Sequence, residues 1–307
     1  MTSGKFLRTF AITSLSIIAG IILINVAIDI FGLFRGRDHL KVYTNDRTSK
    51  FLLTYRYVPE NFNGFIIGPS LSANLNPAAI TSYKVYNASI MGANISDLHN
   101  LINNMVDRGD MKIAIFCLDP YLTKDFGPKA SSINEKEYYG ALGSTNLLRT
   151  YTMYTVRESG LFKGKVADEV SDENGWTNFG QEMDNIDPKR AIEEKVKLKE
   201  KSDLHIDDRA LEELGQVLAQ LRAKNIQVVG YFSPVPREIY ELGREDYREF
   251  ERRMSGLFTD KDILFNLNED KYKEVTSDYN TYIDHGHLSA SGQAFVLSEI
   301  NAHIAGL

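Results

Sequence analysis

Cysteine is almost absent from this chain, which excludes one common means of stabilising a protein. The 307 residues include a single cysteine, so no disulfide can form within the chain. Cys117 lies in the apolar run 113–118, where the pattern predicts a small buried side chain rather than a reactive thiol. A cysteine-poor chain is compatible with a location outside the cytoplasm, although it does not require one.

Clusters of basic residues and of metal ligands are also absent from the sequence. The net charge is −6 and no Lys/Arg cluster is present, which argues against a nucleic-acid partner. Four histidines, His39, His99, His205 and His303, are scattered without the spacing of a metal site. We therefore expect no nucleic acid, no metal and no other cofactor.

Charged residues are missing from residues 10–28, a run of nineteen that meets the length requirement for a membrane span. Lys5 and Arg8 precede this run, and Arg35 and Arg37 follow it, so the positive-inside rule leaves the orientation open. A cleaved signal peptide is the alternative, but its apolar region is usually shorter and no Ala-x-Ala site follows here. We expect an uncleaved anchor, residues 1–37, in a bacterial cytoplasmic membrane, with the rest of the chain outside.

Strand-like and helix-like patterns alternate through much of residues 61–307. Short apolar runs at 63–68, 85–87, 112–118, 225–232 and 262–267 predict strands, and the segments at 96–106, 207–224, 237–258 and 289–305 predict helices. Such alternation predicts a three-layer α/β/α fold with a central parallel sheet of five strands.

Two segments depart from this alternation. Residues 38–60 are interpreted as a connection between the anchor and the domain. Residues 120–205 mix aromatic and polar residues with a charged run and are interpreted as an insertion over the site. The aromatics of the insertion either bind a glycan or pack on the domain, and the sequence leaves both open.

A serine follows the first predicted strand, and a possible base for it lies more than two hundred residues later. Ser70 stands in a small-residue turn at the carboxyl end of the strand, where open α/β sheets place their functional crevice. Asp284 and His287 lie three residues apart, so His287 can act as the base and Asp284 can orient it. His285 is the alternative base, although we expect it at the rim.

These motifs resemble the SGNH (GDSL-like) hydrolase superfamily over about residues 60 to 305. Gly68-Pro69-Ser70 is similar to its first block, Asn87-Ala88-Ser89-Ile90-Met91-Gly92 to its second, and Asp284-x-x-His287 to its last. The third block, Gly-x-Asn-Asp, is not recognisable, because residues 116–120 are Phe-Cys-Leu-Asp-Pro.

The resemblance implies a flavodoxin-like sheet and a set of catalytic roles. Ser70 would be the nucleophile of a Ser70–His287–Asp284 triad. The oxyanion hole would use the backbone N–H groups of Ser70 and Gly92, with Asn94 as a substitute for the missing third-block asparagine.

Membrane-anchored SGNH proteins of polysaccharide O-acetylation and of D-alanyl transfer to teichoic acids are the most similar in pattern. The resemblance implies an extracytoplasmic serine esterase or O-acyltransferase, with acetyl as the expected group, that modifies a cell-surface or exported polysaccharide through an acyl-Ser70 intermediate. The alternative is a catalytically silent SGNH-like domain that binds glycan or scaffolds a membrane complex, which the missing third block favours.

A transferase outside the membrane also needs a source of acyl groups. Activated donors such as acetyl-CoA are cytoplasmic, so we expect a multi-spanning membrane acyltransferase as partner. Asn25 and Asp29 lie on one face of the predicted span and are interpreted either as its contact face or as headgroup residues.

Overall fold

A single parallel sheet forms the centre of the protein. The computed structural model describes residues 3–40, 42, 46–125, 133, 135–160, 173–177 and 186–307. Within this part, five strands pair in the order β2-β1-β3-β4-β5, all parallel. They are β1 (Gly64–Ile67), β2 (Val85–Asn87), β3 (Ile113–Leu118), β4 (Gln227–Phe232) and β5 (Ile263–Asn266). This flavodoxin-like order confirms the predicted fold class.

Helices cover both faces of the sheet. Their bounds are α1 (Ser3–Ile28), α2 (Asp46–Leu53), α3 (Tyr57–Asn61), α4 (Ser70–Ala73), α5 (Ile95–Arg108), α6 (Lys136–Gly140), α7 (Thr145–Glu158), α8 (Pro188–Lys197), α9 (Asp208–Ala223), α10 (Arg237–Leu242), α11 (Arg244–Ser255), α12 (Lys273–Ser277) and α13 (Ala290–Ile304). The apolar stripes of α5 and α9 pack on one face, and that of α13 packs on the other.

The central strand β3 shows why its sequence is apolar throughout. Successive side chains of a strand point to opposite faces. Ala114 and Phe116 therefore contribute to the core under α5 and α9, whereas Ile113, Ile115 and Cys117 contribute to the core under α13. All six residues of β3 are buried, as expected for a strand covered on both sides.

The segment predicted as a single helix at 237–258 is two helices. α10 ends at Leu242 and α11 begins at Arg244, because Gly243 adopts a non-helical φ of −119°. Glycine is a poor helix former and its break is inexpensive. The break also allows Tyr240 and Tyr247 to stack across it, with ring centroids 4.9 Å apart.

Residues 46–61 belong to the domain core and do not form a free connection. α2 and α3 contribute Phe51, Leu52, Tyr57 and Val58, each at most 2% exposed, to the same core as α5. α2 and α3 therefore pack in the same core as the sheet, and the division of the chain at residue 60 stays a prediction.

Two aromatic side chains of the insertion, Tyr138 and Trp176, contact the domain. Trp176 donates its indole N–H to the Asn74 carbonyl at 2.8 Å, next to α4. Tyr138 stacks on Tyr55 of the domain, with centroids 4.7 Å apart. Residues 126–132, 134, 161–172 and 178–185 of the predicted insertion lie outside the described residues.

α1 is 26 residues long and apolar enough to cross a membrane, by length and composition. Its polar residue Asn25 is only 5% exposed. Asn25 donates to the Leu142 carbonyl at 2.6 Å and accepts from the Tyr151 hydroxyl at 2.9 Å. The α6–α7 region of the same chain therefore already provides its partners.

Asp29 terminates α1 and is also satisfied within the chain. Its carboxylate accepts the backbone N–H groups of Leu33, Phe34 and Arg35 at 2.7 to 3.1 Å. The interpretation of Asn25 and Asp29 as a contact face for another membrane protein is thus corrected, because intrachain hydrogen bonds use both side chains.

Replacement of Asn25 should loosen α7 on the anchor. Asn25→Leu leaves the Tyr151 hydroxyl and the Leu142 carbonyl without their partner, at a cost of about 1 kcal/mol per hydrogen bond. We expect the amides of α7 to exchange hydrogen several-fold faster in the full chain in detergent. Ile24→Leu, at an exposed position, is the control and should leave exchange unchanged. Equal exchange in both variants would contradict the assigned contact.

Candidate active site

Ser70 is positioned by the close approach of β1 to β3. A Cβ at Gly68 would lie 2.5 Å from the Ser72 Oγ and 2.7 Å from the Cys117 Cβ, so only glycine fits there. Pro69 follows, and Ser70 is the first residue of α4, at the carboxyl edge of the sheet. The backbone N–H of Ser70 has no hydrogen-bond partner among the described residues.

Asn87, at the end of β2, fixes the short helix that carries Ser70. Its side-chain amide donates to the carbonyls of Ser72 at 2.7 Å and Leu75 at 2.8 Å. The Ser72 hydroxyl in turn contacts the Ser89 hydroxyl at 2.8 Å. These buried contacts join α4 to the loop after β2 and restrict the direction of the Ser70 side chain.

Asp284 and His287 lie in a tight loop before α13. An antiparallel bridge between Tyr282 and Leu288 closes the loop. Inside it, one Asp284 oxygen accepts the backbone N–H groups of Gly286 and His287, each at 2.7 Å. The other oxygen lies 2.8 Å from the His287 Nδ1.

The Asp284 carboxylate is strongly favoured over the acid. Burial opposes its ionisation, but the hydrogen bonds from His287 and Gly286 and the charge of His287 outweigh burial and lower the pKa to about 2. A carboxylate at this position fixes the His287 tautomer with its proton on Nδ1. The Nε2 atom is then an acceptor.

The His287 Nε2 lies 3.0 Å from the Ser70 Oγ, across a sequence separation of 217 residues. The structure thus brings together the three residues that sequence reasoning predicted as a triad. His285 does not make this contact: it lies at the exposed mouth of the same cavity. The arrangement can transfer the serine proton to the imidazole as the oxygen attacks a carbonyl carbon.

Ser70 and His287 open into a cavity of about 350 Å³. One part of its wall is apolar and the other is charged. The apolar part includes Leu71, Leu118, Phe232, Val235 and Ile239, and the charged part includes Asp119, Lys124, Lys195 and Glu251. A cavity of this kind can accept a small acyl group beside a polar alcohol.

Asn94, the predicted substitute oxyanion donor, has another function. It is 1% exposed, accepts the Asp97 N–H at 3.0 Å as the N-cap of α5, and donates to the Lys124 carbonyl at 2.7 Å. Neither Asn94 nor Gly92 is among the described residues that line the cavity. The structure therefore does not present the Asn94 amide to Ser70.

Two cations of α2 hold the loop after β2, and sequence reasoning missed both. Lys50 is fully buried and donates to the Ser89 carbonyl at 2.5 Å. Burial lowers the pKa of Lys50, and the nearby Asp46 carboxylate partly offsets this. Arg47 donates to the carbonyls of residues 91 and 92 at 3.3 and 3.0 Å. The only sequence signal for the burial of Lys50 is the apolar run that follows it, residues 51–53.

Asp119 occupies the position after β3 where the third-block asparagine would stand. One carboxylate oxygen accepts the Tyr121 N–H at 2.8 Å, and Asp119 lines the cavity together with Ser70 and His287. Burial raises the pKa of Asp119 to about 6, although the Tyr121 N–H and the charges of His287 and Lys124 act in the opposite direction. The Asp119 carboxyl therefore titrates at a higher pH than an ordinary aspartate.

Comparisons with known proteins give low similarities. No protein-family model matches the chain, and a search of curated proteins found no match. Among solved structures, a protein described as a platelet activating factor from Streptococcus pneumonia is similar with a TM-score of 0.44 and 12% identity, over 83% of this chain and 88% of that one. A GDSL-like lipase from Bacteroides thetaiotaomicron VPI-5482 has a TM-score of 0.40 and 10% identity, over 80% and 88%. At these similarities the functional argument rests on the site geometry alone.

Alanine substitution of His287 and of His285, one at a time, should show which of the two histidines is the catalytic base. His287→Ala removes the base and should lower kcat/KM on an aryl acetate by about a thousand-fold or more, with circular dichroism unchanged. His285→Ala is the matched control and should stay within about three-fold of the native rate. The reverse order of effects would assign the base to His285.

Asp119 should limit the rate at higher pH. Above about pH 6 the Asp119 side chain is mainly ionised. Its negative charge then opposes the negative charge that develops in the cavity during attack. Asp119→Asn keeps an acceptor for the Tyr121 N–H but cannot ionise. The ratio of kcat/KM in this variant to that in the native chain should therefore rise roughly ten-fold from about pH 5 to about pH 8.

The control for this profile is Asp110→Asn, a surface carboxylate paired with Lys112 away from the cavity. This variant should follow the native pH profile. A constant rate ratio for Asp119→Asn across the same pH range would show that Asp119 does not act on the transition state.

Proposed function

We propose that this chain is a serine esterase or O-acyltransferase that carries its acyl group on Ser70. The observation that carries the proposal is the chain of two hydrogen bonds from Asp284 through His287 to Ser70, 2.8 and 3.0 Å long, at the mouth of a cavity. A serine, a neutral imidazole and a buried carboxylate in this order are the minimum needed to activate a hydroxyl as a nucleophile.

The reaction would proceed in two half-reactions. The Ser70 oxygen attacks the ester carbonyl while the His287 Nε2 takes its proton, and the resulting imidazolium gives that proton to the departing alcohol. Water or a sugar hydroxyl then attacks acyl-Ser70 and loses its proton to His287, and the imidazolium returns that proton to the departing Ser70 oxygen, which restores the serine hydroxyl. Asp284 stays ionised throughout and stabilises the imidazolium.

The oxyanion that forms in each half-reaction needs hydrogen-bond donors. The Ser70 N–H is the donor that the geometry supports best, and one such donor is worth about 3 kcal/mol in the transition state. The resemblance implies the Gly92 N–H as the second donor. Gly92 is not among the described residues that line the cavity, so this second donor rests on the resemblance alone.

We assign a polysaccharide at the outer face of a bacterial cytoplasmic membrane as the substrate and acetyl as the transferred group. The length and composition of α1 support single-pass anchoring, and the small cavity suits an acetyl group. Carboxylates such as Asp119 and Glu251 in its wall suit sugar hydroxyls. A multi-spanning membrane acyltransferase would deliver acyl groups across the bilayer, because activated donors such as acetyl-CoA are cytoplasmic and Ser70 is proposed to lie outside.

A catalytically silent glycan-binding domain is the second candidate. The observation that favours it is Asp119, whose carboxylate stands where the resemblance implies an amide donor. An anion at that point would hinder attack and could instead accept a hydrogen bond from a sugar hydroxyl. The triad geometry favours catalysis, because a binding domain has no need of a serine–imidazole contact.

Trapping of the intermediate tests the proposed function. The full chain in detergent is mixed with an aryl acetate and quenched in acid, and the peptide that contains Ser70 is examined by mass spectrometry for an acetyl group. We expect acetyl-Ser70 in the native chain and none in Ser70→Ala. Absence of the adduct in both would favour the silent domain.

The fate of the acetyl group separates transfer from hydrolysis. If oligosaccharide acceptors accelerate the decay of acetyl-Ser70 and become acetylated, the chain is a transferase. If decay is equal with and without acceptor, and free acetate is the product, the chain is an esterase.

A further inference from the structure

A stretch without charge runs from the end of α6 into the first turn of α7. Residues 138–148, here termed the hairpin tip, contain eleven residues without Asp, Glu, Lys or Arg in a chain that is 25% charged. Glu137 directly precedes the tip and Arg149 directly follows it. A stretch without charge can enter the membrane interface without the cost of burying a charged group.

The hairpin tip lies alongside the apolar part of α1. Leu142 and Tyr151 hydrogen-bond Asn25, as described above. Gly143 reaches further along the anchor, since a Cβ built on it would lie 3.7 Å from the Ile21 side chain. Ile21 is seven residues before the end of α1, or about 10 Å along its axis. The tip thus contacts α1 about 10 Å before the end of this helix.

Two large side chains of the hairpin tip are exposed, and neither is charged. Leu148 is 68% exposed and Tyr139 is 66% exposed. Leu148 lies about one helical turn before Tyr151, whose hydroxyl contacts Asn25 near the end of α1. Any side chain at this height that protein does not cover would face lipid when α1 crosses a bilayer. Tyrosine is also a preferred residue of the membrane interface.

The domain holds the hairpin in this place. Tyr138 stacks on Tyr55, and Glu137 accepts a hydrogen bond from Thr48 of α2 at 3.2 Å. Leu147, on the side of α7 that faces the domain, is 4% exposed. The exposed side of the tip is thus not a disordered end but a surface fixed between α1 and the core.

We propose that the hairpin tip is a second membrane contact, embedded in the headgroup and outer acyl region of the leaflet that α1 crosses last. The partner of this surface is lipid, and the inference rests on the proposed anchoring by α1. Two contacts fix the height and tilt of the domain above the bilayer, whereas a single tether would let it rotate. Ser70 would then work at a constant distance from the membrane surface.

Depth-dependent quenching tests this proposal in the full chain. Leu148→Cys is labelled with the environment-sensitive dye NBD and reconstituted into phosphatidylcholine/phosphatidylglycerol vesicles with spin-labelled lipids. The native Cys117 should not compete, because it is fully buried and burial raises its pKa to about 12. Leu198→Cys, 67% exposed at the end of α8, is the matched control.

We expect the label at 148 to fluoresce at shorter wavelength than the label at 198 and to be quenched several-fold more by shallow spin labels. Tyr139→Cys should behave as Leu148→Cys. Equal quenching at 148 and 198 would overturn the proposal. A label at 148 that is shielded from water in native membranes but not in vesicles of pure lipid would also overturn it, because a protein partner would then cover the tip.

A third label separates failure of the anchor from failure of the hairpin. Ile17→Cys, 58% exposed in α1, should be quenched by deep spin labels. Quenching at 17 without quenching at 148 overturns the hairpin contact alone. No quenching at 17 removes the anchor and the inference with it, while the acetyl-Ser70 experiment in detergent is unaffected.

Discussion

The hydrogen bond between the His287 Nδ1 and the Asp284 carboxylate is the interaction on which the site depends. It assigns the ring proton to Nδ1 and leaves Nε2 as an acceptor 3.0 Å from the Ser70 hydroxyl. Without it, either nitrogen could carry the proton and the ring could rotate. Two backbone N–H groups complete the support of Asp284, so its charge persists despite burial.

The rest of the fold brings two distant segments to this hydrogen bond. Gly68 lets β1 approach β3 so closely that Ser70 emerges at the carboxyl edge of the sheet. The bridge between Tyr282 and Leu288 presents the Asp284 loop to the same edge. Contacts from Arg47 and Lys50 of α2 fix the loop after β2, so α2 supports this loop and also contributes to the core. Thr48 of the same helix donates a hydrogen bond to Glu137, directly before the hairpin tip.

Sequence patterns predicted the parts of this structure that depend on local periodicity. Apolar runs identified the five strands, and a serine after β1 with Asp284 and His287 before the last helix identified the residues that now lie in contact. Features that depend on tertiary contacts were not predictable. Lys50 is a basic residue and yet buried, because it donates a hydrogen bond to the Ser89 carbonyl of the loop after β2. Asn25 is polar within an apolar helix because the Leu142 carbonyl and the Tyr151 hydroxyl supply its partners. The amide of Asn94 was available in sequence, but the α5 N-cap and the Lys124 carbonyl use it.

Reaction with a fluorophosphonate tests the central claim most directly, because this probe modifies a serine only when a neighbouring base activates it. The account predicts one adduct per chain, located on Ser70 by peptide mass spectrometry, and its loss in both Ser70→Ala and His287→Ala. The account would be contradicted if the native chain did not react or if the adduct formed on another residue. It would also be contradicted if the Ser70 adduct formed at the same rate in His287→Ala.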